Sequence, residues 1–72
     1  MASVFEEGQR VKWKWGEGYG QGRVKSRFTK RVTRKIEGNE VTRDGSQDNP
    51  AYYVETEDGG KVLKLWSELE SA

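Results

Sequence analysis

The chain has 72 residues, a formal net charge of +1 and only 32% hydrophobic residues, with no Cys and no His. That length holds one small core, and neither disulfide nor zinc is available to staple it. The same two absences remove the commonest general base, the thiolate nucleophile and the usual transition-metal ligands, so the expectation is a non-enzyme without cofactor.

Three Trp, three Tyr and two Phe must supply what the sparse aliphatic residues do not. No stretch resembles a signal peptide or a membrane span, and the expected location is the cytoplasm. Charge is unevenly spread. Residues 1–43 carry eleven Lys and Arg against five acids, and residues 44–72 carry two against seven. A barrel that interleaves the two halves would cancel much of that field.

In chain order, Val11, Trp13 and Trp15 alternate with Lys12 and Lys14, which predicts a half-buried strand over Arg10 to Trp15. Gly16, Gly18, Gly20 and Gly22 then predict a short loop carrying Tyr19. Val24, Ser26 and Phe28 alternate with Arg23, Lys25 and Arg27, giving a second strand over Gly22 to Thr29 with its cations projecting together. Val32 and Ile36 mark a third segment whose apolar face also contains Arg34, so it is half-buried there or bulged. Glu37 to Glu40 reads as a turn with positive φ at Gly38 and Asn39, and Val41 to Arg43 returns as a strand.

Asp44 to Pro50 is the clearest loop. Ala51 to Glu57 is a strand, Asp58-Gly59-Gly60 a turn and Lys61 to Leu65 a strand. Ser67 to Glu70 fits one helical turn capped by Ser67, with Leu69 closing the open end of the structure. About five short strands and one helical turn predict an all-β domain over residues 5–70, folded as a small closed or nearly closed barrel.

Two constellations bear on function. Arg23, Lys25, Arg27, Lys30, Arg31, Arg34 and Lys35 are seven cations in thirteen residues, with no acid from Gly18 to Ile36. Arg23, Lys25 and Arg27 on one strand could face the same way as Arg31 and Lys35 and follow a phosphate backbone. The plainer reading pairs them with acids of the second half. The glycines from Gly16 to Gly22 suggest a phosphate loop, but no long helix follows them.

The second constellation is the surplus of rings: Trp13, Trp15, Tyr19, Tyr52, Tyr53 and Trp66. Trp13 and one Tyr belong in the core, whereas Trp15 and Tyr19 are the candidates for ligand contact, as a cage for a methylated ammonium or a platform for a base. Glu55, Glu57 and Asp58 read as solvated charge rather than as an acid–base pair.

The ordered segments Gly8-Gln-Arg-Val-Lys-Trp-Lys-Trp-Gly16, Gly22-Arg-Val24, Val41-Thr-Arg43, Asp48-Asn-Pro-Ala-Tyr52 and Ser67-Glu-Leu69 resemble the hypervirulence-associated Tudor-like domain family from about Phe5 to Leu69. The resemblance implies a Tudor-like, SH3-like barrel and carries no catalytic or ligand-binding residues with it. Trp66 stands where a smaller or polar residue is expected.

The function expected is a non-enzymatic binding module whose natural ligand the sequence does not name. Its leading form is weak, sequence-independent nucleic-acid binding through Arg23, Lys25, Arg27, Arg31 and Lys35, with Trp15 or Tyr19 stacking on a base. Its alternatives are a peptide-interaction module using the aromatic groove or a barrel edge, and a self-associating unit, with a monomer or weak homodimer in solution.

Overall fold

The computed structural model describes residues 4–72 and is all-β apart from one 3₁₀ turn. The strands are β1 (Arg10–Trp15), β2 (Gly18–Phe28), β3 (Arg31–Ile36), β4 (Asn39–Asp44), β5 (Ala51–Thr56), β6 (Lys61–Leu65) and β7 (Leu69–Ser71), with the 3₁₀ turn at Trp66–Glu68. Five of them form an antiparallel sheet in the order β6-β5-β2-β1-β7, and β3 and β4 form a separate hairpin.

Strand β5 explains how so few apolar residues suffice. Its run Ala51-Tyr52-Tyr53-Val54 is apolar at successive positions, as expected of a strand covered on both faces. Tyr52 and Val54 join Val11, Trp13, Val24 and Leu69 in one buried cluster, with Phe5, Val62 and Trp66 packed against it. Ala51 faces the other way, into a second cluster with Val32 and Leu63, flanked by Phe28, Ile36, Val41, Tyr53 and Leu65. The β3–β4 hairpin covers this second face. Arg34, one of two cations on the hairpin's apolar side with Arg43, lies with its guanidinium 4.7 Å from the centre of the Phe28 ring. A cation–π contact therefore accommodates a charge that the alternation seemed to leave stranded.

Three sequence expectations need correction. The glycine-rich segment is mostly strand: only Gly16 and Glu17 turn, and Gly18 to Gly22 pair with β1. Its glycines serve close approach instead. A Cβ on Gly20 would fall 2.6 Å from the Trp13 indole, and one on Gly22 would press on the Glu55 carbonyl oxygen and come within 2.9 Å of Val54 Cγ1.

The β3–β4 turn uses Glu37 (φ 50°) and Gly38 (φ 82°), not Gly38 and Asn39. Positive φ at both central residues is what a two-residue hairpin needs to match the strand twist, and it displaces Asn39 into β4.

Ser67 does not cap the last turn. The Glu68 carboxylate accepts from the Leu65 N–H at 2.8 Å, while the Ser67 N–H donates to Asn49 Oδ1 at 2.9 Å. Leu69 is buried as expected, but it opens β7, which pairs with β1.

Candidate functional site

The register of β2 decides which cations act together. Gly22, Arg23 and Val24 stand opposite Thr56, Glu55 and Val54, and then Ser26 stands opposite Tyr53, so Lys25 is an inserted bulge residue. A bulge reverses the inside–outside parity of the strand beyond it. Arg23 therefore emerges on the Glu55 face of the sheet, and Arg27, opposite Tyr52, emerges on the other.

Two other members of the sequence-predicted basic run are held in ion pairs, and a third faces an acid across the hairpin. Lys25 Nζ lies 3.7 Å from Glu55, Arg31 Nε lies 2.6 Å from Asp44, and Lys35 stands opposite Glu40 across the hairpin. Thr33 and Thr42 share a 2.8 Å hydroxyl hydrogen bond between the Arg31 and Lys35 rungs. The outer face of the β3–β4 hairpin thus carries the Arg31–Asp44 ion pair at one end and Lys35 across from Glu40 at the other. Arg23, Lys25, Arg27, Arg31 and Lys35 are not brought onto one surface.

A different group does share a surface. On the outer face of β1, Arg10, Lys12 and Lys14 stand opposite Arg23, Gln21 and Tyr19 of β2. Lys14, Arg23 and Tyr19 are exposed and Lys12 is half-buried. Among the described residues neither Lys12, Lys14 nor Arg23 forms an ion pair, although Glu70 of β7 stands opposite Lys12. The Lys12 ammonium lies 5.2 Å from the centre of the Tyr19 ring, which is 56% exposed. The charge is within cation–π reach of one face of the ring.

Lys12 and Lys14 are absent from the basic run read in the sequence. Their alternation with Val11 and Trp13 puts them on an outer face, but only the two-residue turn at Gly16 and Glu17 brings Tyr19 opposite Lys14.

Trp15 and Tyr19 do not meet either. Trp15 shares the Trp13 side of β1, whereas Tyr19 shares the Lys14 side. Trp15 is 72% exposed and lines a cleft of about 500 Å³ with Trp13, Gly20, Thr56, Lys61 and Val62, with Glu37, Glu57 and Asp58 also contributing. Trp13 is 4% exposed and Tyr52 is fully buried; these two rings are the core pair.

Charge on this small surface is tuned at three carboxylates. Asp44 is held below the usual carboxylate range by the hydrogen bond from Arg31 and then by its charge. The Lys61 hydrogen bond, the Lys61 charge and the Lys25 charge lower Glu55, while the Thr56 hydroxyl and the Gly60 N–H lower Asp58. Depressed folded values mean that the stability they contribute is present above their unfolded values near pH 4 and is lost as pH falls through the folded ones. The chain contains neither His nor Cys, the side chains whose ordinary values fall between pH 5 and 9. The urea midpoint is therefore expected to be level from about pH 5 to pH 8 and to fall below about pH 4. A decline between pH 5 and 7 would contradict this assignment.

The chemistry on offer is that of fixed positive charge and aromatic stacking. Among the described residues no three His, Cys, Asp or Glu side chains gather in a way that could hold a metal ion, and no helix is long and apolar enough to cross a membrane.

These features, an all-β domain of Tudor-like architecture with exposed rings and cations on short strands, define a small binding module. The chain belongs to the hypervirulence-associated protein Tudor domain family, whose model matches residues 8–69. No curated protein and no solved structure matches it.

Proposed function

We propose that residues 5–70 act as a non-catalytic module that binds single-stranded nucleic acid weakly and without sequence preference, on the outer face of the β1–β2 hairpin. The observation that carries this reading is the juxtaposition of Lys12, Lys14 and Arg23, three cations outside any ion pair among the described residues, with the exposed Tyr19 ring. Lys12 and Lys14 project to the same side, roughly 6.5–7 Å apart along the strand. The ring offers a π-face between them and Gln21, where a base can stack while phosphates track the lysines. A sheet surface with a central ring suits single strands, whose bases are free to splay, better than a closed duplex.

Arg23 is the one cation of the sequence-predicted set that belongs to this face. Lys25 and Arg31 pair with Glu55 and Asp44, and Arg27 emerges on the opposite side of the sheet from Arg23, so the proposal does not use these residues or Lys35.

Tyr19→Ala tests the proposal without changing charge. Stacking on an aromatic ring contributes about 1–3 kcal/mol per base, so the variant is expected to bind a short oligothymidylate about fivefold or more weakly in fluorescence anisotropy. Its circular dichroism should match the parent, because Tyr19 lies outside both buried clusters. Undiminished affinity in a folded Tyr19→Ala protein would remove the ring from the site.

A further inference from the structure

Arg10 and Arg23 stand directly opposite each other where β1 pairs with β2. Like charges so placed repel, and neither buried cluster uses either side chain. The surroundings compensate only in part. Arg10 donates to Glu57 Oε2 at 3.1 Å, and Arg23 reaches no more than the Gly8 carbonyl oxygen, at 3.4 Å. Glu55, opposite Arg23 in β5, is already shared by Lys25 at 3.7 Å and Lys61 at 3.3 Å. Four cations thus face two carboxylates.

Both arginines line a cleft of about 440 Å³ together with Gly22, Glu55, Thr56, Glu57 and Gly59. Glu57 marks how Arg10 receives an oxyanion, and its carboxylate is 64% exposed, free to swing away.

We infer that this cleft binds a phosphate monoester, with Arg10 and Arg23 both donating to the dianion and Glu57 released from Arg10. Guanidinium forks match phosphate oxygens in pairs, and a monoester carries nearly two charges at neutral pH. A backbone diester, with one charge, recruits the second arginine less well against the two resident carboxylates. The inference deepens the nucleic-acid reading, because Arg23 belongs to both: the monoester is the terminal phosphate of a bound strand or that of a free nucleotide.

The experiment is an amide chemical-shift titration at about pH 7.5, above the second phosphate pKa of about 6. Its arms are inorganic phosphate, a nucleoside monophosphate, and one oligonucleotide with and without a 5′-phosphate, all against chloride at matched ionic strength. Phosphate is expected to shift Gly22, Arg23, Thr56 and Gly59. Arg23→Gln should weaken phosphate about tenfold, the loss of one charge-assisted contact, without lowering the thermal midpoint because a repulsive pair is gone. Glu57→Gln, which removes the competing carboxylate, should tighten phosphate.

A preference for the 5′-phosphorylated strand over the free nucleotide assigns the site to strand ends, and equal binding assigns it to nucleotides. Shifts reproduced by chloride, or an Arg23→Gln protein that binds phosphate as the parent does, overturn the inference. If the unphosphorylated strand still binds the Tyr19 face in that case, the functional proposal stands alone. If phosphate binds and no strand does, that proposal falls and the cleft remains.

Discussion

Tyr52→Ala is expected to leave the chain unfolded at 25 °C. Tyr52 is fully buried at the centre of the first cluster, stacks edge-on against Phe5 at 5.5 Å, and its hydroxyl accepts the Phe5 N–H at 3.0 Å. One side chain therefore ties the N-terminal segment to β5. Removing a buried aromatic ring costs about 3–5 kcal/mol, and a core of this size supplies about 3–5 kcal/mol in total. The expected spectrum lacks strand signal and shows no cooperative urea transition.

Tyr52→Phe separates the ring from the hydroxyl, and should fold with a loss of about 1 kcal/mol for the one hydrogen bond. A Tyr52→Ala protein that unfolds cooperatively near the parent midpoint would show that the two clusters do not depend on β5 in the way described.

The second large effect concerns binding. In the double variant Lys12→Glu with Lys14→Glu, two cations are lost and two anions gained on the face proposed to meet phosphates. At about 1 kcal/mol per charge near an anionic surface, the change amounts to about 3–4 kcal/mol, or two to three orders of magnitude at low salt. The fold should survive, since both positions lie outside the clusters, although the new carboxylate at position 12 faces Glu70 and costs a little stability.

Arg31→Gln is the informative partner experiment. Arg31 lies on the β3–β4 hairpin in its own ion pair with Asp44, and its loss should leave binding unchanged. Were Arg31→Gln to abolish binding while the lysine reversal did not, the site would belong to the basic run and not to the β1–β2 face.

That contrast also shows where the sequence stops being informative. Strand positions are legible because period-two alternation is local: β1, β5 and β6 fall within a residue of where Val11-Trp13-Trp15, Ala51-Tyr52-Tyr53-Val54 and Lys61-Leu65 put them. The family resemblance was legible too, in ordered motifs that run through most of the chain.

Faces are another matter, because they depend on register. Val24, Ser26 and Phe28 keep perfect alternation with Arg23, Lys25 and Arg27, and nothing in that stretch marks the bulge at Lys25 that sends Val24 into one cluster and Phe28 toward the other. A patch inferred from uninterrupted alternation consequently merges two faces. The pairing of Lys14 with Tyr19 is equally invisible until the turn is known to take two residues. Strand β7 was hidden for a different reason: Leu69-Glu70-Ser71 is too short for any periodicity, and it is a strand only because β1 offers it an edge.

The most direct test of the nucleic-acid reading is an amide chemical-shift titration of the labelled protein with an unphosphorylated oligothymidylate at low and near-physiological salt. Shifts should cluster on Lys12, Lys14, Tyr19, Gln21 and Arg23, with affinity falling about twentyfold between 50 and 200 mM salt, as three phosphate contacts to a single strand require. Shifts confined to the Trp15 cleft or to the β3–β4 hairpin, or none at low salt, would contradict it.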